Sequence, residues 1–409
     1  MSVLNLRNNI IQTIAGKSAI LLLNFTVVVL STRFWGTDGR GAIALFMANL
    51  GLISSITNIF TSSSVSYFVL KRGLSKLILQ AYLWVFTVAA VLGIAFHIYD
   101  QTTPSIFLFI VAVLFGFTLF HSSVFIGYQQ IGYFNLITVI QPVFQIIAIL
   151  FFYYFFDKTF FAYFYGTIVS YFLVFCICKF LTWKKHGKIS YHLDKSVVKE
   201  TFLFGWQIEL SNFLQFFNYR LSYYFLNYFL GASTLGVFSI GVAISEAIWV
   251  VSRSISLVLY SNVVKQGDTK DSRDETKITA KYCFFISLCC LVLVLCLPGQ
   301  VFSFVFGEGF EGVKKVILLL SPGILAIALS HVYLHYFSAI GKAKILIYKS
   351  AVGVIFTIGL SFWLIPALHV SGACIVNASS YIVSSIVLLW FFFRQNGAGY
   401  KPPKESRQE

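Results

Sequence analysis

Charge is what this chain has least of. Asp, Glu, Lys and Arg make up only 11% of its 409 residues, and 58% are apolar; soluble domains carry roughly 25% charged residues. A soluble globular protein is excluded. Cysteine supports neither a disulfide framework nor a zinc site: all seven cysteines fall in apolar runs and none forms a CxxC pair. They read as small buried hydrophobes. Long polar stretches are also missing, so no accessible loop holds the acid, base or nucleophile that a glycan polymerase or acyltransferase needs. No cofactor and no metal is implied. His331 and His335 share a helix face, but no third ligand accompanies them.

What the chain has instead is apolar runs of about 20 residues or more, each long enough for a helix to cross ~30 Å of hydrocarbon. Twelve can be drawn, at approximately 10–34, 42–70, 75–98, 105–126, 133–156, 160–182, 202–230, 235–260, 280–306, 313–340, 345–366 and 371–393. The expected fold is all-α and polytopic. Met1 to Ile10 lacks the features of a cleaved secretory signal, so the first apolar run is expected to remain as a span.

Basic residues orient these spans. Arg7, Lys71, Arg72, Lys76, the lysines of 179–199, the Lys and Arg of 265–281, Lys342, Lys344, Lys349 and the residues after Phe393 fall on one face; Arg33, Arg40, Lys158, Lys314 and Lys315 fall on the other. The positive-inside rule then puts both termini in the cytoplasm. The net charge of +15 is mainly this orientation signal. Scattered over short loops, it argues against nucleic-acid binding and for contact with anionic lipid headgroups.

A basic connection at 186–200 separates an N-terminal bundle (1–185) from a C-terminal bundle (201–393), with a cytoplasmic tail at 394–409. Six spans in each half, both starting in the cytoplasm, imply parallel repeats related by a pseudo-twofold along the membrane normal, with a crevice between the bundles suited to alternating access. Two short matches support a duplication: "GTDGRGAIA" from Gly36 with "GASTLGVFS" from Gly231, and "IGYQQIGY" from Ile126 with "IGKAKILIY" from Ile340. The prolines Pro142 and Pro322 are candidate bending points.

Spans seven and eight carry charge inside apolar text. Each ionised side chain at a helix centre costs about 2.5 to 3.5 kcal/mol on insertion scales, so these groups need partners or water. Glu209 and Arg220 are eleven residues apart and Glu246 and Arg253 seven apart, which leaves each pair within about 20° on its helix. Antiparallel helices match their depths, predicting two ion pairs: Glu209 with Arg253, and Arg220 with Glu246. Asn212 and Tyr223 share the Glu209 face of span seven, while Gln207, Ser211, Asn218 and Ser222 form a second polar face; which one meets a cavity is open. In the first half, Lys17 and Arg33 are the cations nearest the membrane interior. With Arg220 and Arg253 they would favour an anionic headgroup. Most of the aromatic residues read as lipid-facing or interfacial, although Tyr163, Tyr165 and Tyr223 could stack sugars.

"NYRLSYYFLNYFLGASTLGVFSIGVAISEAIW" from Asn218 resembles the seventh and eighth spans of polysaccharide flippases of the multidrug/oligosaccharidyl-lipid/polysaccharide (MOP) exporter superfamily. "RFWGTDGRGAIAL" from Arg33 resembles their first outer turn, and "VFGEGFEGVKKVILLLSPG" from Val305, "SAIGKAKILIYKS" from Ser338 and "IPALHVSGACIVNASSYI" from Ile365 resemble their later landmarks. Arg220 and Glu246 fall on the polar positions of that pattern. Ser222 stands where an Asp is frequent, which puts any role of that acid in doubt here. The resemblance implies a bacterial inner-membrane flippase that moves an undecaprenyl-diphosphate-linked oligosaccharide from the inner to the outer leaflet. Sodium or proton coupling is open, and other polysaccharide assembly proteins are candidate partners. The rival reading is a cation-coupled exporter of small molecules from the same superfamily.

Overall fold

The computed structural model describes the backbone of residues 3–99, 104–187 and 189–394, with side chains from residue 20 onward within those ranges except Tyr99. Among the described residues the elements are helices: α1 (Val3–Thr61), α2 (Ser63–Arg72), α3 (Leu74–Tyr99), α4 (Ser105–Gly127), α5 (Ile131–Phe155), α6 (Phe161–His186), α7 (Lys195–Gln266), α8 (Lys270–Cys296), α9 (Gly299–Phe306), α10 (Val313–Ala339) and α11 (Ala343–Arg394). Nine of the described helical stretches are long and apolar enough to cross a membrane. Three of these stretches contain one non-helical residue each, Gly36 in α1, Gly231 in α7 and His369 in α11, and each is over 50 residues long, enough for two crossings.

These bends sit where the sequence placed turns, and the paired glycines divide the labour. Gly36 and Gly231 take the left-handed backbone of the bend, at φ 59° and 80°, which glycine adopts without steric cost. The second glycine of each motif serves close packing: a Cβ on Gly41 would stand 1.8 Å from the carbonyl oxygen of Ala232, and one on Gly236 would stand 2.0 Å from that of Thr37. At the third bend the left-handed residue is His369, a residue type enriched there among non-glycines.

The second repeat match is real in geometry but shifted in register. In the α4–α5 turn, the Gln130 N–H donates to the Phe125 carbonyl and the Gln129 N–H to that of Ile126; in the α10–α11 turn, Lys342 donates to Phe337 and Gly341 to Ser338. The left-handed residues are Gln129 and Gly341. Phe125–Gln130 therefore corresponds to Phe337–Lys342, two residues away from the alignment of Ile126 with Ile340.

Several expectations are corrected. The gap left between the spans drawn at 235–260 and 280–306 is mostly helical: α7 continues to Gln266 and α8 starts at Lys270, N-capped by Thr269 in a reciprocal pair with Ser272. The span drawn at 280–306 breaks at Leu297 and Pro298, where proline lacks the N–H to continue a helix. The candidate bending points Pro142 and Pro322 do lie inside helices, α5 and α10. Lys349 was placed on the cytoplasmic face, yet it lies six residues into α11 and is only 1% exposed. The tail at 394–409 lies outside the described residues beyond Arg394.

The chain forms two compact units, residues 1–216 with 232–236 and 304–309, and residues 217–231, 237–303 and 310–409. The division between these units falls inside α7. In the first unit, one apolar core packs Phe46, Leu50 and Ile53 of α1 with Val88, Leu108, Val111, Ile149 and Phe164. In the second, Leu259, Val263, Val332, Tyr336, Leu388 and Phe392 build the core at one end. Asp268, between α7 and α8, closes that end: it accepts from Arg273 at 2.7 Å and from the Tyr336 hydroxyl at 2.5 Å, with Lys342 at 3.5 Å.

Two outcomes follow. Gly41→Ala collides with backbone and should lower the unfolding temperature in detergent, with overpacking costs of about 1–3 kcal/mol, whereas Gly132→Ala, with open space around the new methyl, should be neutral or stabilising. Burial alone would raise the Asp268 carboxyl, but the hydrogen bonds from Arg273 and Tyr336 and the charge of Lys342 prevail and hold it below the usual carboxylate range. Its contribution is thus present above the unfolded-state pKa and lost as pH falls through the lower folded value. Acid titration of thermal stability should show this loss, and Asp268→Asn should be destabilised at neutral pH by about 1–3 kcal/mol with a flatter acid limb.

Candidate functional site

The charged residues of the two arms of α7 occupy different surroundings. Arg220 Nη1 lies 2.7 Å from Glu246 Oε1, with side chains 25% and 30% exposed. The expected pairing of these two residues is observed. Gly231 makes it achievable: folding α7 back on itself brings position 220 of the first arm level with position 246 of the second, about 11 and 15 residues from the bend, at ~1.5 Å per residue. Tyr223, one turn from Arg220, adds a hydroxyl 3.3 Å from Nη1 and a ring whose centroid is 5.0 Å from the guanidinium carbon. Arg220 is thus held by charge, by a hydrogen bond and by a cation–π contact, yet keeps part of its surface open.

An aromatic group backs this pair. Tyr219 stacks on Trp249 at 5.4 Å, and Tyr381 meets both edge-on at 5.7 and 5.8 Å. His331 approaches the same indole at 6.1 Å. The sequence had marked His331 only for its spacing to His335, and Tyr219 and Tyr381 not at all; the signal that could have found them is their register with Trp249 across helices, which one sequence does not expose.

Of the second polar face of α7, Asn218 and Ser222 are packed, Ser211 is half-buried and Gln207 is exposed. Asn218 donates to Ser384 at 3.3 Å, and its carbonyl oxygen accepts from Ser380 and from Thr357. Ser222 donates to Asn377. Gly353 makes the room, since a Cβ there would stand 2.6 Å from Asn218 Nδ2. These buried neutral groups, bonded to one another except at Asn377 Nδ2, fix the register of α7 on α11. Arg220, on the other face, is partly open.

The remaining predicted site residues separate. No ion pair joins Glu209 to Arg253 among the described residues: Glu209 is buried and accepts from Asn212 at 3.1 Å on its own helix. Glu209 belongs to the first compact unit and Arg253 to the second. Arg253 is exposed. Arg33 donates from Nε to the Val305 carbonyl at 3.0 Å and from Nη2 to that of Phe304. It clasps backbone rather than standing ready for an anion. Lys17 lies outside the residues whose side chains are described. Tyr163 is buried in the first core, and Tyr165 is exposed.

Sequence and structure comparisons bear on what this arrangement serves. A family model described as "Polysaccharide biosynthesis protein" matches residues 62–315. The chain belongs to this family. A second model, "Lipid II flippase MurJ", matches residues 248–404 of this polysaccharide biosynthesis protein. The capsular polysaccharide biosynthesis protein CapF of Staphylococcus aureus is 26% identical over 279 residues, covering 65% of this chain and 69% of that one. Among solved structures, lipid II flippase MurJ in an inward closed conformation superposes with a TM-score of 0.75 at 12% identity, covering 93% of this chain and 87% of that one. An inward-facing multidrug resistance MATE family transporter of the MOP superfamily gives 0.74 at 14% identity, over 94% and 96%. The fold of this multi-pass membrane protein is therefore that of MOP-superfamily transporters, and its family is that of polysaccharide biosynthesis.

Removing one partner of a fully buried ion pair costs about 3–5 kcal/mol, and this pair is partly open. Arg220→Met and Glu246→Met should each destabilise by less than that, and the double variant should recover much of the loss. Chemical denaturation of all three variants in detergent measures it.

Proposed function

We propose that this protein is a flippase that moves an undecaprenyl-diphosphate-linked oligosaccharide from the inner to the outer leaflet of the bacterial inner membrane by alternating access, with both termini in the cytoplasm, and that it is not an enzyme. The observation that carries the reading is the partly open Arg220–Glu246 pair inside apolar helices. A diphosphate headgroup cannot cross hydrocarbon unaided, while its prenyl chain can stay in lipid. The protein needs to shelter only the polar end.

Arg220 is the group suited to that task. A planar guanidinium binds phosphate oxygens through two parallel hydrogen bonds, and its hold on Glu246 is one that an incoming dianion can displace. Arg253, exposed one helical arm away, would add a second cation. Restored pairing with Glu246 then weakens the grip and favours release. An interior-negative potential assists outward movement of anionic charge by about 2.3 kcal/mol per charge per 100 mV.

The membership in a polysaccharide biosynthesis family supports the substrate class, and the names of the relatives MurJ and CapF agree with it. In cells that depend on this protein for surface glycan, Arg220→Gln should abolish glycan export while the protein still inserts and Glu246→Gln should reduce it. Full export by Arg220→Gln would remove that residue from the mechanism. Cation-coupled export of small molecules in place of glycan would favour the exporter reading.

A further inference from the structure

Glu209 is the buried acid that the Arg220 site does not use. It is 3% exposed, and its hydrogen bond comes from Asn212 Nδ2 at 3.1 Å. Gly205, Glu209, Asn212 and Phe216 recur at spacings of four, three and four, so they share one face of α7. That face is pressed against the second arm of α1: a Cβ on Gly205 would stand 2.1 Å from the Ile59 carbonyl oxygen, and one on Gly51 would stand 2.6 Å from the Phe216 ring. Glu209 lies between these two contacts.

The arm of α1 that faces it offers no counter-charge. From Gly41 to Leu70, α1 and α2 contain no Asp, Glu, Lys, Arg or His, and neither does α3 from Leu77 to Phe96. On α7 itself, Glu200 is committed to Arg72 at 2.8 Å and Arg220 to Glu246. No ion pair among the described residues includes Glu209. An isolated carboxylate removed from water neutralises itself by taking up a proton rather than bear the solvation loss.

We propose that Glu209 is a proton-binding site: its carboxyl is protonated while α7 lies on α1 and gives its proton to water when that contact opens, so transport is coupled to protons. The exposed Asn212, one turn away, marks the side from which water reaches it. The close approach at Gly205 is what must part. Coupling to transport rests on the flippase reading above; proton binding does not.

Infrared spectroscopy of the purified full chain reads the site without substrate. At neutral pH the unchanged protein should show the carbonyl stretch of a protonated carboxylic acid, which Glu209→Gln removes and Glu246→Gln leaves in place. If Glu209→Gln does not fold, titration of the unchanged protein decides, since the band should persist above neutrality and vanish only in alkaline buffer. A neutral-pH spectrum with no acid band means that Glu209 is ionised, and the proposal falls. In proteoliposomes with a lipid-linked glycan, flipping should follow an imposed pH gradient in the unchanged protein and lose that dependence in Glu209→Gln. A gradient-independent rate in the unchanged protein would overturn the coupling. A surviving acid band with no flipping would sink the flippase reading and leave the proton site standing.

Discussion

A guanidinium inside a hydrocarbon layer has to be answered by something, and here Glu246 answers Arg220. The rest of the candidate site is arranged around that requirement. The bend at Gly231 returns α7 at the depth where the two groups meet, Tyr223 supplies a ring and a hydroxyl, and Tyr219, Trp249 and Tyr381 wall one side with side chains that tolerate a cation nearby. None of these contacts closes the pair off. A quarter of each side chain or more stays accessible, and an ion pair that can be reached can be exchanged for another anion.

The same low dielectric explains the neutral polar residues. Asn218, Ser222, Thr357, Asn377, Ser380 and Ser384 carry no charge, so they can be packed away on hydrogen bonds to one another that leave Asn377 Nδ2 as the unbonded group, and Gly353 removes the side chain that would keep them apart. Packing by small residues and hydrogen bonds is what helices inside lipid have available, because lipid chains are as apolar as leucine and give no hydrophobic drive between helices. The glycine contacts at Gly41, Gly205 and Gly236 belong to the same economy: backbone approaches backbone where a methyl would not fit.

Glu209 and Arg220 show how far periodicity carries. Both lie on α7, eleven residues apart and close in angle, and the sequence treated them alike. One is paired with a cation and the other rests on an arm of α1 that carries no charge from Gly41 onward. Arg33 makes a similar point. Its residue type suits a phosphate, yet its guanidinium is spent on two carbonyls of residues 304 and 305, and a carbonyl at the end of a helix leaves no sequence signature that pairs it with a distant arginine.

The helical class, the membrane-spanning character, the turns at Gly36 and Gly231 and the Arg220–Glu246 pair were legible in the sequence, because apolar length, backbone permissiveness of glycine and the cost of unpaired charge are local properties of a chain in lipid. The tertiary structure alone decided that Asn218 and Ser222 are packed, that Lys349 is buried, that Glu209 lies against α1, and that the two compact units part within α7. Those outcomes depend on which helix faces which, and helix contacts are selected by shape complementarity among small side chains spread over hundreds of residues.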